Sequence, residues 1–169
     1  TSSTADGGDD FTSLALDNTD TTSLTITGCT DEDADLKTGN VANSNVLETL
    51  TLTSSTTGST VVMGTLADAD ALTSITATGS YAAITTGAIG ATGTAEVLST
   101  VTVSASYDSL VSIGAITADT TNSGTENDLT ITATTDDYAS SEINLATGGV
   151  ITNAQGNITL TASGGGEVS

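Results

Sequence analysis

Aliphatic residues alternate with threonine in short runs that return along the chain at nearly even intervals. LTIT occupies 24–27, LTLT 50–53, ITAT 75–78, VTVS 101–104, LTIT 129–132 and ITLT 158–161. Strict alternation is the period of a strand with one face in a core and the other in solvent. In LTLT it sends Leu50 and Leu52 inward and leaves Thr49, Thr51 and Thr53 outside. Counted from the first aliphatic of each run (Leu24, Leu50, Ile75, Val101, Leu129, Ile158), the intervals are 26, 25, 26, 28 and 29 residues. LETLTLTSS, LTSITATGS and LSTVTVSAS extend the likeness to nine residues. Repeats of this length mark solenoids, propellers or arrays.

Two weaker apolar clusters follow each run. Val61-Val62-Met63, Ala83-Ile84, Leu110-Val111 and Ile143-Leu145 form the second; Leu66, Ile89, Ile116 and Val150-Ile151 form the third. Three short strands per repeat, with Gly, Ser, Asn or Asp at the corners, predict a roughly triangular coil stacked on its neighbours through a parallel ladder. The expected fold is all-β, a parallel β-solenoid (β-helix) of about six coils with a repeat of 25–29 residues. It forms a single repeat domain, 1–169, with a lead-in at 1–20 and units starting near 21, 47, 72, 98, 126 and 155. Proline is absent, as suits strands paired on both sides. The longest loops are expected where charge collects, at 28–46 and 118–128. A β-sandwich of short antiparallel strands accommodates the same alternation and stays open as the alternative.

A parallel stack leaves a strand edge at each end unless something covers it. No amphipathic segment follows ITLT within ASGGGEVS, and FTSLALDN at 11–18 already carries the core pattern. Head-to-tail stacking of copies is the expectation, and an excerpt from a longer solenoid would present the same ends. The first residue, Thr1, fits either an excerpt or a processed mature chain.

Charge changes the picture most. There are 21 acidic residues against one basic residue, Lys37, with no His or Arg and a net charge of −20. Nucleic acids and anionic membranes are held by Lys and Arg, so neither is an expected partner. No apolar run is long enough for a membrane span, so membrane insertion is not expected either. Divalent cations and copies of the chain bridged by them are the natural complement, although acidic residues also serve simply to keep an exported protein soluble. Secretion to the cell surface is the expected location. Cys29 is alone and cannot form an internal disulfide.

LETLTLTSS, LTSITATGS and LSTVTVSAS, with acidic corners and almost no Lys, resemble the β-solenoid portions of bacterial surface-layer proteins and large secreted adhesins, best over 47–161. That resemblance implies a non-catalytic extracellular structural protein, a self-assembling protomer of a surface layer or filament, or alternatively a segment of an adhesin. It also implies calcium dependence, but the calcium-binding nonapeptide G-G-x-G-x-D-x-U-x is absent, and Gly7-Gly8-Asp9-Asp10 is only a fragment of it. Other Ca²⁺ candidates are Asp31, Glu32, Asp33 and Asp35, and Asp136 with Asp137, with Asp68, Asp70, Asp9 and Asp10 as further oxygen donors. For each, a solvated acidic loop is the plainer reading, and no cofactor is required.

Catalysis is not expected. Without His there is no ordinary general base, Cys29 has no basic neighbour to activate it, and Trp is absent from a chain with three tyrosines. Asn157-Ile158-Thr159 is a glycosylation sequon inside an expected strand. The outward threonines carry a rival expectation. Thr25/Thr27, Thr51/Thr53, Thr76/Thr78, Thr102/Ser104, Thr130/Thr132 and Thr159/Thr161 would form two columns on one sheet. These resemble the threonine ranks of β-solenoid ice-binding proteins, although threonine is favoured in any exposed strand and unequal repeats work against identical coils.

Overall fold

The computed structural model describes residues 20–28, 30–90, 97–118, 128–137, 140–153 and 156–169, and the backbone of 11–12 and 16–17. Gly7 to Asp10, Cys29, Tyr138 and most of the expected loop at 118–128 lie outside the described residues.

Every regular element described is a strand, and every strand pairing is parallel. The fold is a β-solenoid, and the antiparallel sandwich is set aside. Its first side is a six-stranded sheet of the aliphatic–threonine runs: β3 (Ser23–Thr27), β6 (Thr49–Ser54), β8 (Ser74–Ser80), β10 (Thr100–Ser106), β12 (Leu129–Thr135) and β14 (Ile158–Ser163), paired in that order. Five turns of the coil connect these six rungs. The second side is a seven-stranded sheet in the order β1 (Phe11–Thr12), β4 (Asp35–Thr38), β7 (Thr60–Met63), β9 (Ala83–Thr86), β11 (Leu110–Ala118), β13 (Glu142–Asn153) and β15 (Glu167–Val168).

The third side is narrower. It begins with β2 (Leu16–Asp17) on β5 (Val41–Ala42) and continues through single-residue bridges from Val41 to Leu66, Leu66 to Ile89 and Ile89 to Ile116. One apolar residue per rung suffices there, and Val41, Leu66, Ile89 and Ile116 are all completely buried. From β11 onward the second and third sides run as one strand, with Ile116 paired to Ile151.

Identical positions stack, so the core is a set of aliphatic columns. One holds Leu24, Leu50, Ile75, Val101, Ile131 and Leu160; beside it run Ile26, Leu52, Ala77, Val103, Ala133 and Ala162. The second side contributes Leu36, Val61, Ile84, Val111 and Ile143. Burying a Leu, Ile or Val side chain stabilises by roughly 1.5–3 kcal/mol, so these columns supply a driving force to which the exposed Tyr81 and Tyr107 add little.

Corners are lined by small residues. Ala34, Ser59, Ala82, Ser109 and Ser141 are buried where the first side bends into the second. Backbone hydrogen bonds tie successive members, as Ala83 N to Ser59 O, Leu110 N to Ala82 O and Glu142 N to Ser109 O show. At the next bend Gly64, Gly87 and Gly114 stack backbone on backbone: a Cβ on Gly87 would lie 2.9 Å from the Gly64 carbonyl carbon and the Thr65 nitrogen.

One expectation needs correcting. Segment 28–46, read as a charged loop, contains β4 and β5 and forms the second and third sides of its rung, with Ala34, Leu36 and Val41 buried. Its core positions are single apolar residues separated by Asp, Lys, Gly and Asn, too sparse to stand out from the acidic run around them.

Candidate functional surfaces

The outward face of the six-stranded sheet carries hydroxyls only. Its register gives three columns: Ser23, Thr49, Ser74, Thr100, Thr130, Thr159; then Thr25, Thr51, Thr76, Thr102, Thr132, Thr161; then Thr27, Thr53, Thr78, Ser104, Thr134, Ser163. This differs from the two columns expected. Counting from the first aliphatic placed Thr130 beside Thr102, whereas β12 pairs with β10 two residues further along, so Thr130 lies beside Thr100 and Thr132 beside Thr102. Ile131, not Leu129, occupies the Val101 column. A shift of two keeps every side chain on its own face, which is why alternation alone did not reveal it.

All eighteen side chains are exposed or half-buried. None of the 21 acidic residues falls among them. Within the array, the hydroxyl bond among the described side chains joins Thr49 Oγ1 to Ser23 Oγ at 2.9 Å. The sheet has no bulge, although repeat lengths vary. Extra residues are absorbed elsewhere: opposite β11, β13 shifts register twice, with Ala146 and Gly148 at positive φ. Uneven repeats therefore leave the hydroxyl lattice intact.

The acidic candidates are placed differently. Asp33, at φ 62°, turns the corner before β4, with its N–H donated to Thr57 O at 3.2 Å. Asp35 faces outward on β4 and accepts hydrogen bonds from Thr60 Oγ1 and from Lys37 Nζ, the latter at 2.9 Å. The Thr60 hydroxyl first, then Lys37, holds its carboxyl below the usual value, against a smaller opposing effect of burial. Asp31 and Glu32 lie in the bend between β3 and β4. Four rungs along the stack, Asp136 accepts Tyr107 N–H at 2.8 Å and Ser141 Oγ–H at 2.6 Å, while Asp137 beside it is exposed. Among the described residues, no three carboxylate or thiol groups converge on one point. Asp35 and Asp136 are thus engaged in holding rungs and corners together, and the sequence cluster at 31–35 is spread by a corner and a buried Ala34.

Sequence reasoning overlooked a tyrosine ladder. Tyr81 and Tyr107 occupy the same corner of successive rungs, both exposed and both at positive φ, with rings 4.7 Å apart and 7° from parallel. Such φ values are uncommon for bulky residues, and ring stacking along the axis offsets part of that cost. The signal was present: Ser-Tyr recurs at 80–81 and 106–107, at the end of each aliphatic–threonine run. At the sequon, Asn157 donates both its backbone N–H and its Nδ2 to Asp128 Oδ1.

At one edge of the sheet the interior columns open. Ile158 is 44% and Leu160 56% exposed on β14, whereas Leu50, Ile75, Val101 and Ile131 are at 0–1%. Compared with known proteins, the chain matches no protein-family model, no curated protein and no solved structure.

Proposed function

We propose that this β-solenoid is a non-catalytic structural protein of the extracellular surface, the protomer of a surface layer or filament that grows by adding copies along the solenoid axis. The observation that carries the reading is the in-register parallel stack: Leu24, Leu50, Ile75, Val101, Ile131 and Leu160 form one aliphatic column in which each rung repeats the last, a ladder of the kind that a further copy can extend. At the other end of the described six-stranded ladder, β3 carries the same alternation, with Leu24 half-buried and Ile26 buried at the interior positions. Copies added along the axis, each continuing the parallel ladder and the aliphatic columns, make a heterologous contact that does not close on itself. Ca²⁺ or another divalent cation acts between copies, screening and bridging surfaces that carry 21 carboxylates per chain. The lack of any histidine supports the non-catalytic part of the reading.

Electron microscopy of the purified chain, with calcium and after chelation, tests both parts. Filaments or sheets that disperse on chelation support assembly and bridging. Assemblies indifferent to chelation support the first and discard the second. Dispersed monomers in both conditions overturn the assembly. Leu160→Asp, which puts a charge into the aliphatic column at its exposed β14 position, is expected to abolish assembly while leaving the monomer folded.

A further inference from the structure

We propose that the hydroxyl face of the six-stranded sheet binds the surface of ice. The inference is independent of axial assembly, since it uses a side of the solenoid and not an edge.

Neighbouring strands of a sheet lie about 4.8 Å apart and alternate residues of a strand about 6.6 Å apart, so three columns of six tile a patch of roughly 24 by 13 Å. A lattice repeating in two directions gains nothing extra from a single small molecule or a flexible chain. It gains at every node from a partner that also repeats, which is a crystal face.

Chemistry then selects the crystal. A mineral lattice exposes cations and would be met by carboxylates, which this chain has in abundance and keeps off the face. A crystalline polysaccharide is best gripped by aromatic rings, and Tyr81 and Tyr107 stand at a corner and not on the array. Ice is uncharged, and each of its water molecules both donates and accepts. Each Ser and Thr hydroxyl does the same. Within the array the described hydroxyl–hydroxyl bond is that of Thr49 and Ser23, so the other hydroxyls are not spent on one another, and each threonine adds a methyl beside its hydroxyl.

Strand propensity alone does not build such an array. It favours threonine on any exposed strand. Yet on the second side, one outward column reads Asp35, Thr60, Ala83, Leu110, Glu142 and Glu167. The same chain under the same propensity leaves one sheet mixed and keeps the other wholly hydroxylic.

The test is ice-crystal shaping and thermal hysteresis of the purified chain, with Thr102→Lys at the centre of the face and Thr85→Lys on the second side as a charge-matched control. Thr51→Lys is a second variant on the same face, and circular dichroism confirms that each folds. The expected result is faceted crystals and a hysteresis gap for the parent chain, loss of most of that gap in both face variants and its retention in Thr85→Lys. A parent chain that neither shapes ice nor gives a gap overturns the proposal, as does an equal loss in face and control variants.

Discussion

Replacing Ile75 by Ala removes a side chain that is fully buried and sandwiched in register between Leu50 and Val101, with a rung on either side. Neither neighbour can collapse into the space without leaving its own rung, so transfer and cavity costs add. For Ile to Ala in such a site the loss is about 2–5 kcal/mol, a large part of the 5–15 kcal/mol that holds a typical domain folded. Leu160 lies in the same column at the open edge and is 56% exposed. Since full burial of a leucine is worth about 1.5–3 kcal/mol, Leu160→Ala is expected to cost the monomer about 1 kcal/mol or less. Urea unfolding followed by circular dichroism, at concentrations low enough to keep copies apart, measures both. Equal losses at the two positions would refute the reasoning, because they would mean that Leu160 is enclosed as Ile75 is.

Ser54 and Ser59 bond each other by their hydroxyls at 2.9 Å in a buried corner. Ser54→Ala or Ser59→Ala alone should cost about 1–3 kcal/mol by stranding the partner, while the double variant lies closer to the parent; additive losses in a denaturant cycle would sink this. Gly87→Ala drives a Cβ against the backbone of Gly64 and Thr65 and should destabilise by about 1–3 kcal/mol, read as a drop in melting temperature. Asp35 has its carboxyl lowered below 3.8 by Thr60 and Lys37, so its contribution is present above that value and fades as pH falls through the lower, folded one. The stability gap between the parent and Asp35→Asn, measured by melts across pH, should therefore be open at neutral pH and close as the pH falls through the lowered, folded value.

Much of this fold was legible because a solenoid writes the same sentence repeatedly. Leu50, Ile75 and Val101 and their threonine neighbours appear in the chain as they appear in the sheet. Legibility failed where one residue does the work of a strand. Leu36 and Val41 sit singly among charged and small residues, and nothing local distinguishes them from a loop. It failed also at the β10 to β12 pairing, where a two-residue shift preserves the face of every side chain and only pairing across the ladder decides the register. A third hydroxyl column was hidden as well, since Ser23 and Ser74 precede, and Thr134 follows, the aliphatic–threonine tetrapeptides. The bracing hydrogen bonds of Asp136, from Tyr107 N–H and Ser141 Oγ, were not legible either, because the donors come from the preceding rung and from across a corner.

The all-parallel stacking has a mechanical consequence. Each rung touches only the rungs before and after it, and the hydrogen bonds between rungs point along the solenoid axis. A force applied to the two ends of the chain therefore loads the outermost rung first and peels it like a zip, without stressing those behind it. From Thr49 to Ser74 a rung holds 25 residues, which stacked add about 4.8 Å to the length and, pulled out straight, span about 85 Å. The molecule would lengthen in steps of nearly a rung's contour each, taking up extension between two anchored points while its remaining rungs stay folded.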